Sequence, residues 1–241
     1  MISVATNSNV NQVIELRDLT NQEFFVRHAG PGRVGLVGGT TLIDRAICHA
    51  QRHLDEDKNW SCWSHAFLLQ GERPDGHHWV IESDLDFHRK HIRLGVQENR
   101  LAKYFDENLH STLAILDFGL TTAQTAALLR EGLNLVADHT RYSVRELFGT
   151  LIGLTNKGAR TKGNLLAREK SFYCSAFVQH LFRQARIDLV PGLDVKHTAP
   201  EDLARSPVPH TTYLLKRAVA TGRLQGVRDK LRVRRLRKPA K

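Results

Sequence analysis

The length and composition allow one large domain or two small ones and exclude several classes of protein. The chain has 241 residues, 41% of them hydrophobic, and a formal net charge of +10, so it can bury a substantial core. Three cysteines do not make a disulfide framework and favour a reducing compartment. No signal-like stretch and no run long enough to cross a bilayer is found. We therefore expect a cytoplasmic protein, with export by a specialised system as the alternative.

The first elements of the chain follow a polar beginning. Residues 1–22 are weakly patterned and are predicted to form a flexible N-terminal segment. A short buried strand is predicted over Val34–Val37. A helix is predicted over Thr41–Leu54, because apolar residues recur there at helical spacing. Cys48 lies on this helix, where we expect it to contribute to packing.

A β-hairpin is predicted over Trp60–Leu69 and His78–Leu85, since both stretches are rich in aromatic and branched residues and a turn-forming run separates them. If the hairpin is symmetric about its turn, His65 lies directly opposite Glu82, with Cβ atoms about 4.5–5.5 Å apart. A carboxylate in that position can orient an imidazole and stabilise its charged form. Cys62 would point to the opposite face of the strand.

Four histidines follow the hairpin turn closely enough to raise the question of a metal site. They are His77, His78, His88 and His91. A zinc site needs three or four ligands in a defined geometry, and neither paired cysteines nor a His-Glu-x-x-His helix accompanies them. We predict no metal and no organic cofactor. We interpret residues 86–93 as a basic loop, with contact to an acidic group of a substrate as the alternative.

The middle of the chain alternates between helical and strand patterns. Helices are predicted over Gln97–Tyr104, Thr122–Asp138 and Ser143–Leu154, and a buried strand over Thr112–Phe118. The segment Asn156–Gly163 is rich in Gly and Lys, but it lacks the residue order of a phosphate-binding loop. It is predicted to be a loop rather than a nucleotide site.

The stretch Ser171–Ile187 is predicted to be a helix with a reactive group at its start. Its apolar face consists of Phe177, Val178, Leu181, Phe182 and Ala185. With Ser171 as N-cap, Cys174 falls in the first turn, where unpaired backbone amides and the helix dipole favour a thiolate and can bind an oxyanion. Cys174 is therefore a candidate nucleophile. The alternative is a buried structural cysteine.

After one more predicted strand, His210–Leu215, the chain becomes strongly basic. Arg223–Lys241 contains nine Lys or Arg against one Asp, a net charge of +8 out of the +10 of the whole chain. Such a segment can bind an anionic membrane surface or nucleic acid, and the alternative is a solvated basic tail. The predicted organisation is a flexible segment at 1–22, one domain over 23–215 and a basic tail over 216–241.

The motifs around three residues resemble a known family. They are Trp-Ser-His-Ala-Phe-Leu around His65, Trp-Val-Ile-Glu-Ser around Glu82 and Phe-Tyr-Cys-Ser-Ala-Phe-Val around Cys174. With the His strand before the Cys helix, the chain resembles the circularly permuted NlpC-type papain-like cysteine hydrolases, the YiiX-like group, over about residues 30–210. Ala176 departs from the pattern, because many members carry an acidic residue two places after the Cys.

The resemblance implies an α+β, permuted papain-like fold, in which an antiparallel sheet packs against helices that include the nucleophile helix. It also implies a cysteine hydrolase of the amidase or peptidase type. Cys174 would form the acyl-enzyme, His65 would move the proton and Glu82 would orient His65. Two alternatives stay open: a lipid-directed acyltransferase or phospholipase with the same triad, and a non-enzymatic binding module that uses the basic tail.

The substrate expected from the sequence is compact and peptide-like. Under the symmetric register, the companions of His65 are predicted to pack beneath the Cys helix; they are Trp63, Phe67, Leu69 and Val80. Few apolar residues would then line a long acyl channel. The surrounding loops are polar and basic, which suits a substrate that carries a carboxylate. The acyl acceptor and the oligomeric state are not specified by the sequence.

Overall fold

The described residues are 11–86, 93–138, 174–215 and 217 of a computed structural model. Their strands are β1 Gln12–Leu16, β2 Val34–Gly39, β3 His65–Glu72, β4 His78–Asp86, β5 Arg93–Arg100, β6 His110–Asp117 and β7 Thr211–Leu215. Their α-helices are α1 Asn21–His28, α2 Leu42–Ala50, α3 Thr122–Ala137, α4 Cys174–Gln184 and α5 Pro200–Ala204, with 3₁₀ helices at Gln51–Leu54, Leu101–Tyr104 and Val195–His197. Three predicted segments lie outside this part of the chain: Ser143–Leu154, Asn156–Gly163 and the tail Arg223–Lys241.

The strands form one seven-stranded sheet in the order β1-β7-β6-β2-β3-β4-β5. Neighbouring strands are antiparallel except for β1 and β7, which are parallel. The mixed α and β composition therefore agrees with the predicted α+β class.

Helices cover both faces of this sheet. On one face, α3 and α4 pack through Leu128, Phe177 and Leu181 against strand residues such as Ala66 and Leu68. On the other face, α1 and the Leu101–Tyr104 helix pack against the alternate strand residues, which include Phe67, Leu69 and Val80. Successive strand residues point to opposite faces, so the two sides of β3 belong to two different core clusters.

Local sequence signals explain where several helices begin. The helices α1, α2 and α3 each start with a capping box, in which a threonine and the residue three places later satisfy each other's backbone amides; the pairs are Thr20–Glu23, Thr41–Asp44 and Thr121–Gln124. Gly35 on β2 makes room for a core ring, because a Cβ there would lie 2.1 Å from Phe67 Cε2. These features fix the elements that carry the site described below.

Several predicted elements differ from the structure. Gln97–Tyr104 is not a helix: β5 continues to Arg100, and only Leu101–Tyr104 is helical, in the 3₁₀ form. The first four residues of this stretch, Gln97–Arg100, pair with β4, and such tertiary pairing overrides a weak local preference. Within the predicted flexible segment over 1–22, the described residues include an edge strand, Gln12–Leu16, beside β7, and the start of α1 at Asn21.

The hairpin register is shifted by two residues from the symmetric prediction. Leu68 pairs with Ile81 and Leu69 with Val80, and an irregularity follows between Leu69 and Gly71. If the register of these pairs is extended along both strands, Phe67 rather than His65 lies directly opposite Glu82. A shift of two keeps each side chain on its face, so His65 and Glu82 still share a face as diagonal neighbours.

The prediction that Phe67, Leu69 and Val80 pack beneath the Cys helix is wrong. These three residues face α1 and the Leu101–Tyr104 helix, on the side of the sheet opposite α4. The residues of β3 and β4 that do lie under α4 are Ala66, Leu68 and Ile81. Trp63, which precedes the strand, packs on the α4 side as expected.

Candidate active site

His65 and Glu82 form a buried pair on neighbouring strands. His65 is the first residue of β3, and its Nε2 lies 2.7 Å from Glu82 Oε2. The Glu82 side chain has no solvent exposure, and that of His65 is only 14% exposed. The carboxylate therefore accepts a short hydrogen bond from an imidazole in surroundings where water screens the charges poorly.

Three further donors hold the Glu82 carboxylate. Asn99 Nδ2 donates to Oε1 at 2.7 Å, and Lys103 Nζ lies 3.0 Å from the same oxygen. The Tyr104 hydroxyl donates to Oε2, beside the bond from His65. Each carboxylate oxygen thus has two donors, and the group cannot rotate without breaking at least one of these bonds.

The partners of Glu82 decide its charge. Burial alone would raise the pKa of this carboxyl, but the hydrogen bond from His65 and the positive charge of Lys103 lower it far below its usual range. Burial also opposes the charged form of His65, and by itself it would lower the pKa of this imidazole. The negative charges of Cys174 and Asp84, with hydrogen bonds to Cys174 and Glu82, raise it well above its usual value. The arrangement favours a charged imidazolium against a charged carboxylate.

Cys174 completes the line of contacts. It is the first residue of α4, it is half-buried, and it lies close enough to His65 to help raise the pKa of that imidazole. The start of α4 is held by Ser175, whose hydroxyl donates to the Thr198 carbonyl at 2.6 Å.

Burial makes the thiols of the other two cysteines weak acids. Burial raises the pKa of Cys48 to about 12 and that of Cys62 to about 11. Cys62 is nevertheless solvent-exposed, whereas Cys48 is buried. The alternation of a strand does not set the direction of Cys62, because β3 begins only at His65 and Cys62 lies in the irregular segment before it. Of the three predicted site residues, His65 and Glu82 are hydrogen-bonded to each other, and Cys174 is near enough to His65 to influence its pKa.

Sequence reasoning missed Asn99, Lys103 and Tyr104. All three fall in the stretch that was predicted to be a helix, where no periodicity places them near Glu82. Assigning Arg93–Arg100 to a strand would have revealed Asn99, since Asn99 pairs with Val80 and lies diagonal to Glu82. The short helix after β5 then brings Lys103 and Tyr104 back over the same carboxylate.

One group of described residues has the spacing of metal ligands. The ligand atoms of His65, Glu82 and Asp84 all lie within 4.8 Å of one another. Both carboxylates are already ion-paired with Lys103, however, at 3.0 Å for Glu82 and closer for Asp84. His77 and His78 belong to no such group among the described residues, and His88 and His91 lie outside them.

A depression of about 260 Å³ lies where the end of β2, the helix α2 and the segment before β3 meet, and its lining residues do not include Cys174, His65 or Glu82. Gly38 and Gly39 form one wall, and Gly38 directly follows Val37, the cross-strand partner of His65. The wall is tight, because a Cβ on Gly38 would lie 2.1 Å from the Cys62 carbonyl oxygen. Arg45 is its charged lining residue, and Trp60 lies on its rim with 58% exposure.

In the part of the chain that the structure describes, no helix combines the length and apolar character needed to cross a membrane.

Comparisons with known proteins add a likeness in fold. No family model matches the sequence, and no curated protein matches it. The crystal structure of the metalloprotein YiiX from Escherichia coli O157:H7 is similar, with a TM-score of 0.50 over 78% of this chain and 98% of that chain. The two sequences are 13% identical. The resemblance to the YiiX-like group is thus supported at the level of the fold, by a distant structural neighbour.

Proposed function

We propose that this protein is a cysteine hydrolase with a circularly permuted papain-like fold. The observation that carries the proposal is that His65 is hydrogen-bonded to Glu82, and that Cys174, at the start of a helix, lies close enough to raise the pKa of His65. A nucleophile, a base within hydrogen-bond reach and a third group that orients the base are the components of such a site. The His strand precedes the Cys helix in the chain, as in the permuted branch that the motifs resemble.

The proposed reaction proceeds in two steps. The Cys174 thiolate attacks the acyl carbon, a C–S bond forms, and His65 donates its proton to the departing amine or alcohol. Water then attacks the thioester, with His65 removing its proton, and the thiolate is regenerated as the acid leaves. Backbone amides at the start of α4 are suited to stabilise the negative oxygen in both steps. Glu82 keeps the imidazole oriented and its positive charge balanced.

The proposed chemistry uses no metal, although YiiX itself is called a metalloprotein. In this chain the group with the spacing of metal ligands is His65, Glu82 and Asp84, and its two carboxylates already bind the Lys103 ammonium. These residues fit an ion-paired network better than the coordination sphere of a divalent cation.

We propose a compact acyl substrate that carries a carboxylate. Arg45 lines the depression at Gly38 and Gly39, the two residues that follow the cross-strand partner of His65. It is exposed and forms no ion pair with another described residue. A guanidinium in this position can bind a carboxylate through two parallel hydrogen bonds. A depression of about 260 Å³ holds a small peptide-like group more readily than a long acyl chain.

Arg45→Gln tests this assignment. We expect KM to rise about tenfold for a substrate with a free carboxylate, corresponding to a lost charge-assisted bond of about 1.5 kcal/mol, and to change little for the methyl ester of the same substrate. Steady-state kinetics of both substrates measures the difference. Arg130→Gln is the matched control, since Arg130 is an exposed residue of α3 outside the depression. An equal rise of KM for acid and ester would contradict a role for Arg45 in binding the carboxylate.

A lipid-directed hydrolase or acyltransferase is the second candidate. It is favoured by three exposed apolar side chains near the depression: Leu42 at 83%, Ile43 at 47% and Trp60 at 58%. A paired assay separates the two candidates. Aminoacyl amides and phospholipid vesicles are incubated with the full chain, each with Cys174→Ala as the blank. We expect Cys174-dependent release of amine; Cys174-dependent release of fatty acid without amide cleavage would replace the first candidate by the second.

A non-enzymatic binding module is the third candidate. It would leave the Cys174–His65 contact unused and give no Cys174-dependent turnover on either substrate class. The basic segment Arg223–Lys241 that would carry such binding lies outside the described residues.

A further inference from the structure

We propose that Lys103 is a positioning residue, whose ammonium is the resident cation that separates the carboxylates of Glu82 and Asp84 and holds Glu82 in place for His65. Its Nζ lies 3.0 Å from Glu82 Oε1 and also forms an ion pair with Asp84 Oδ2. Lys103 belongs to the Leu101–Tyr104 helix directly after β5. Neither its pairing nor its position was evident from the sequence.

The need for this cation follows from the charges around it. Glu82 is fully buried, Asp84 is 23% exposed, and their ligand atoms lie within 4.8 Å of one another and of His65. Two carboxylates this close do not both stay ionised unless a positive charge lies beside them. When Cys174 is a thiolate, it carries a negative charge as Glu82 and Asp84 do; among the contacts given above, His65 supplies one positive charge and Lys103 a second.

The bonding pattern gives Lys103 a geometric role as well. Glu82 Oε2 accepts from His65 and Tyr104, so the orientation of the carboxylate depends on what holds Oε1. Oε1 is held by Asn99 and Lys103. Loss of the ammonium would leave one neutral donor on that oxygen and would turn the two carboxylates toward a shared proton.

A divalent cation is the competing way to balance these charges. It would need the ligand atoms of His65, Glu82 and Asp84, and it would have to displace Lys103 from both carboxylates. The ammonium and the metal therefore exclude each other at this place, and the test below distinguishes them.

The test measures the rate at which iodoacetamide alkylates Cys174 between about pH 5 and 9, where a thiolate paired with imidazolium titrates. It compares the full-length protein with Lys103→Arg, Lys103→Met and the double variant Lys103→Met/Asp84→Asn. The significance of Lys103 for catalysis rests on the proposed function. Alkylation needs no substrate, however, so a failure of the hydrolase proposal and a failure of this inference give different results.

We expect Lys103→Arg to follow the unmodified protein, because it keeps the charge. In Lys103→Met, the pH profile of the alkylation rate should gain an extra titration step, because Glu82 and Asp84 would then share a proton. Below the pH of that step, alkylation should be about tenfold slower, which corresponds to one pKa unit of lost imidazolium stabilisation. The double variant should lose this step, since Asp84→Asn removes one negative charge along with the positive one.

Two results would overturn the inference. One is a failure of the expected pH profiles: the Lys103→Met profile superimposes on that of the unmodified protein, or the double variant retains the extra titration step. The other is a change in the alkylation rate of the unmodified protein on adding Zn²⁺ or EDTA that disappears in Glu82→Gln, which would assign the cation position to a metal. If Lys103→Met does not fold, the double variant decides: it folds with the unmodified profile if charge separation is the role of Lys103, and stays unfolded if Lys103 acts by packing.

Discussion

At the scale of single residues, the candidate site depends on one fully buried carboxylate. Glu82 has four donors and no solvent exposure, so its charge is balanced by protein groups alone. His65 lies between it and Cys174, and each contact stabilises the charged form of the next group. The proposed activation of Cys174 therefore depends on these neighbours and not on the exposure of the thiol.

The first prediction concerns the three residues of this line. Cys174→Ala and His65→Ala should each reduce turnover to background, because they remove the nucleophile and the proton carrier. Glu82→Gln should lower kcat by about 10²-fold, since it removes charge and orientation but leaves the attacking group. Initial rates with an aminoacyl amide measure these effects, and circular dichroism confirms that each variant is folded.

Cys62→Ser is the matched control for the nucleophile, because Cys62 is a second, more exposed thiol. It should retain the full rate. Full activity of Cys174→Ser together with loss of activity in Cys62→Ser would transfer the role of nucleophile to Cys62.

At the scale of secondary structure, the site joins elements from both sides of the sheet. β3 supplies His65, β4 supplies Glu82, and the end of β5 with its following 3₁₀ helix supplies Asn99, Lys103 and Tyr104. The helix α4 packs on the opposite face of β3, yet its first residue reaches His65 because His65 lies at the very start of the strand. The ion pairs and hydrogen bonds of Glu82 therefore connect β3, β4 and β5 through their side chains.

The second prediction is the pH dependence of stability that this network produces. Glu82 has a lowered pKa in the folded state, so its contribution is present above its ordinary value of 4.5 and is lost as the pH falls below it. His65 has a raised pKa, so its contribution is complete below 6.5 and is lost as the pH rises through the folded-state value. Both contributions are complete between these two values.

Urea unfolding from about pH 3 to 9 measures this dependence. Glu82→Gln should lower the free energy of unfolding by about 3 kcal/mol near pH 6, because breaking a buried ion pair leaves uncompensated charge, and should flatten both limbs of the profile. A parallel displacement of the whole curve at every pH would mean that Glu82 contributes through packing rather than charge.

The sequence predicted the elements whose pattern is local and failed where partners came from elsewhere. The Cys helix, the Thr122–Asp138 helix and the Thr112–Phe118 strand correspond to α4, α3 and β6, because each carries a strong apolar periodicity. The hairpin register was shifted because Glu72 pairs with His78, which centres the turn on Asp75 rather than between Arg73 and Pro74. The irregularity between Leu69 and Gly71 then takes back one residue, and a count from the turn residues detects neither. His65 and Glu82 stayed together only because the shift was an even number of residues.

At the scale of the whole molecule, the sheet brings together residues that are far apart in sequence. Cys174 and His65 are separated by 109 positions, and the intervening chain adds β4, β5, β6 and α3 before returning to the start of β3. The likeness in fold to YiiX spans 98% of that chain, which places the described elements within a fold already seen in a crystal structure. The most strongly charged segment of the sequence, the basic stretch Arg223–Lys241, comes after these elements in the chain.

The third prediction concerns that basic tail. Deleting residues 223–241 should lower affinity for anionic liposomes or polynucleotide at least tenfold and weaken the salt dependence of binding, because up to nine cationic side chains are removed. Liposome sedimentation and polynucleotide titration at about 50 and 200 mM salt measure the change. Turnover of a small amide should stay the same. Unchanged binding to both partners would identify the tail as a solvated extension.

The competition among the three cysteines for iodoacetamide tests the central claim most directly. Exposure alone would make Cys62 react first, since it is exposed while Cys174 is half-buried and Cys48 is buried. Activation by His65 and Glu82 predicts the reverse order at pH 7: Cys174 is alkylated first, and His65→Ala removes its advantage. Peptide mapping after brief labelling of the native protein gives the order. Cys62 labelled ahead of Cys174, or Cys174 labelling that is unchanged in His65→Ala, would contradict activation of Cys174 by its neighbours.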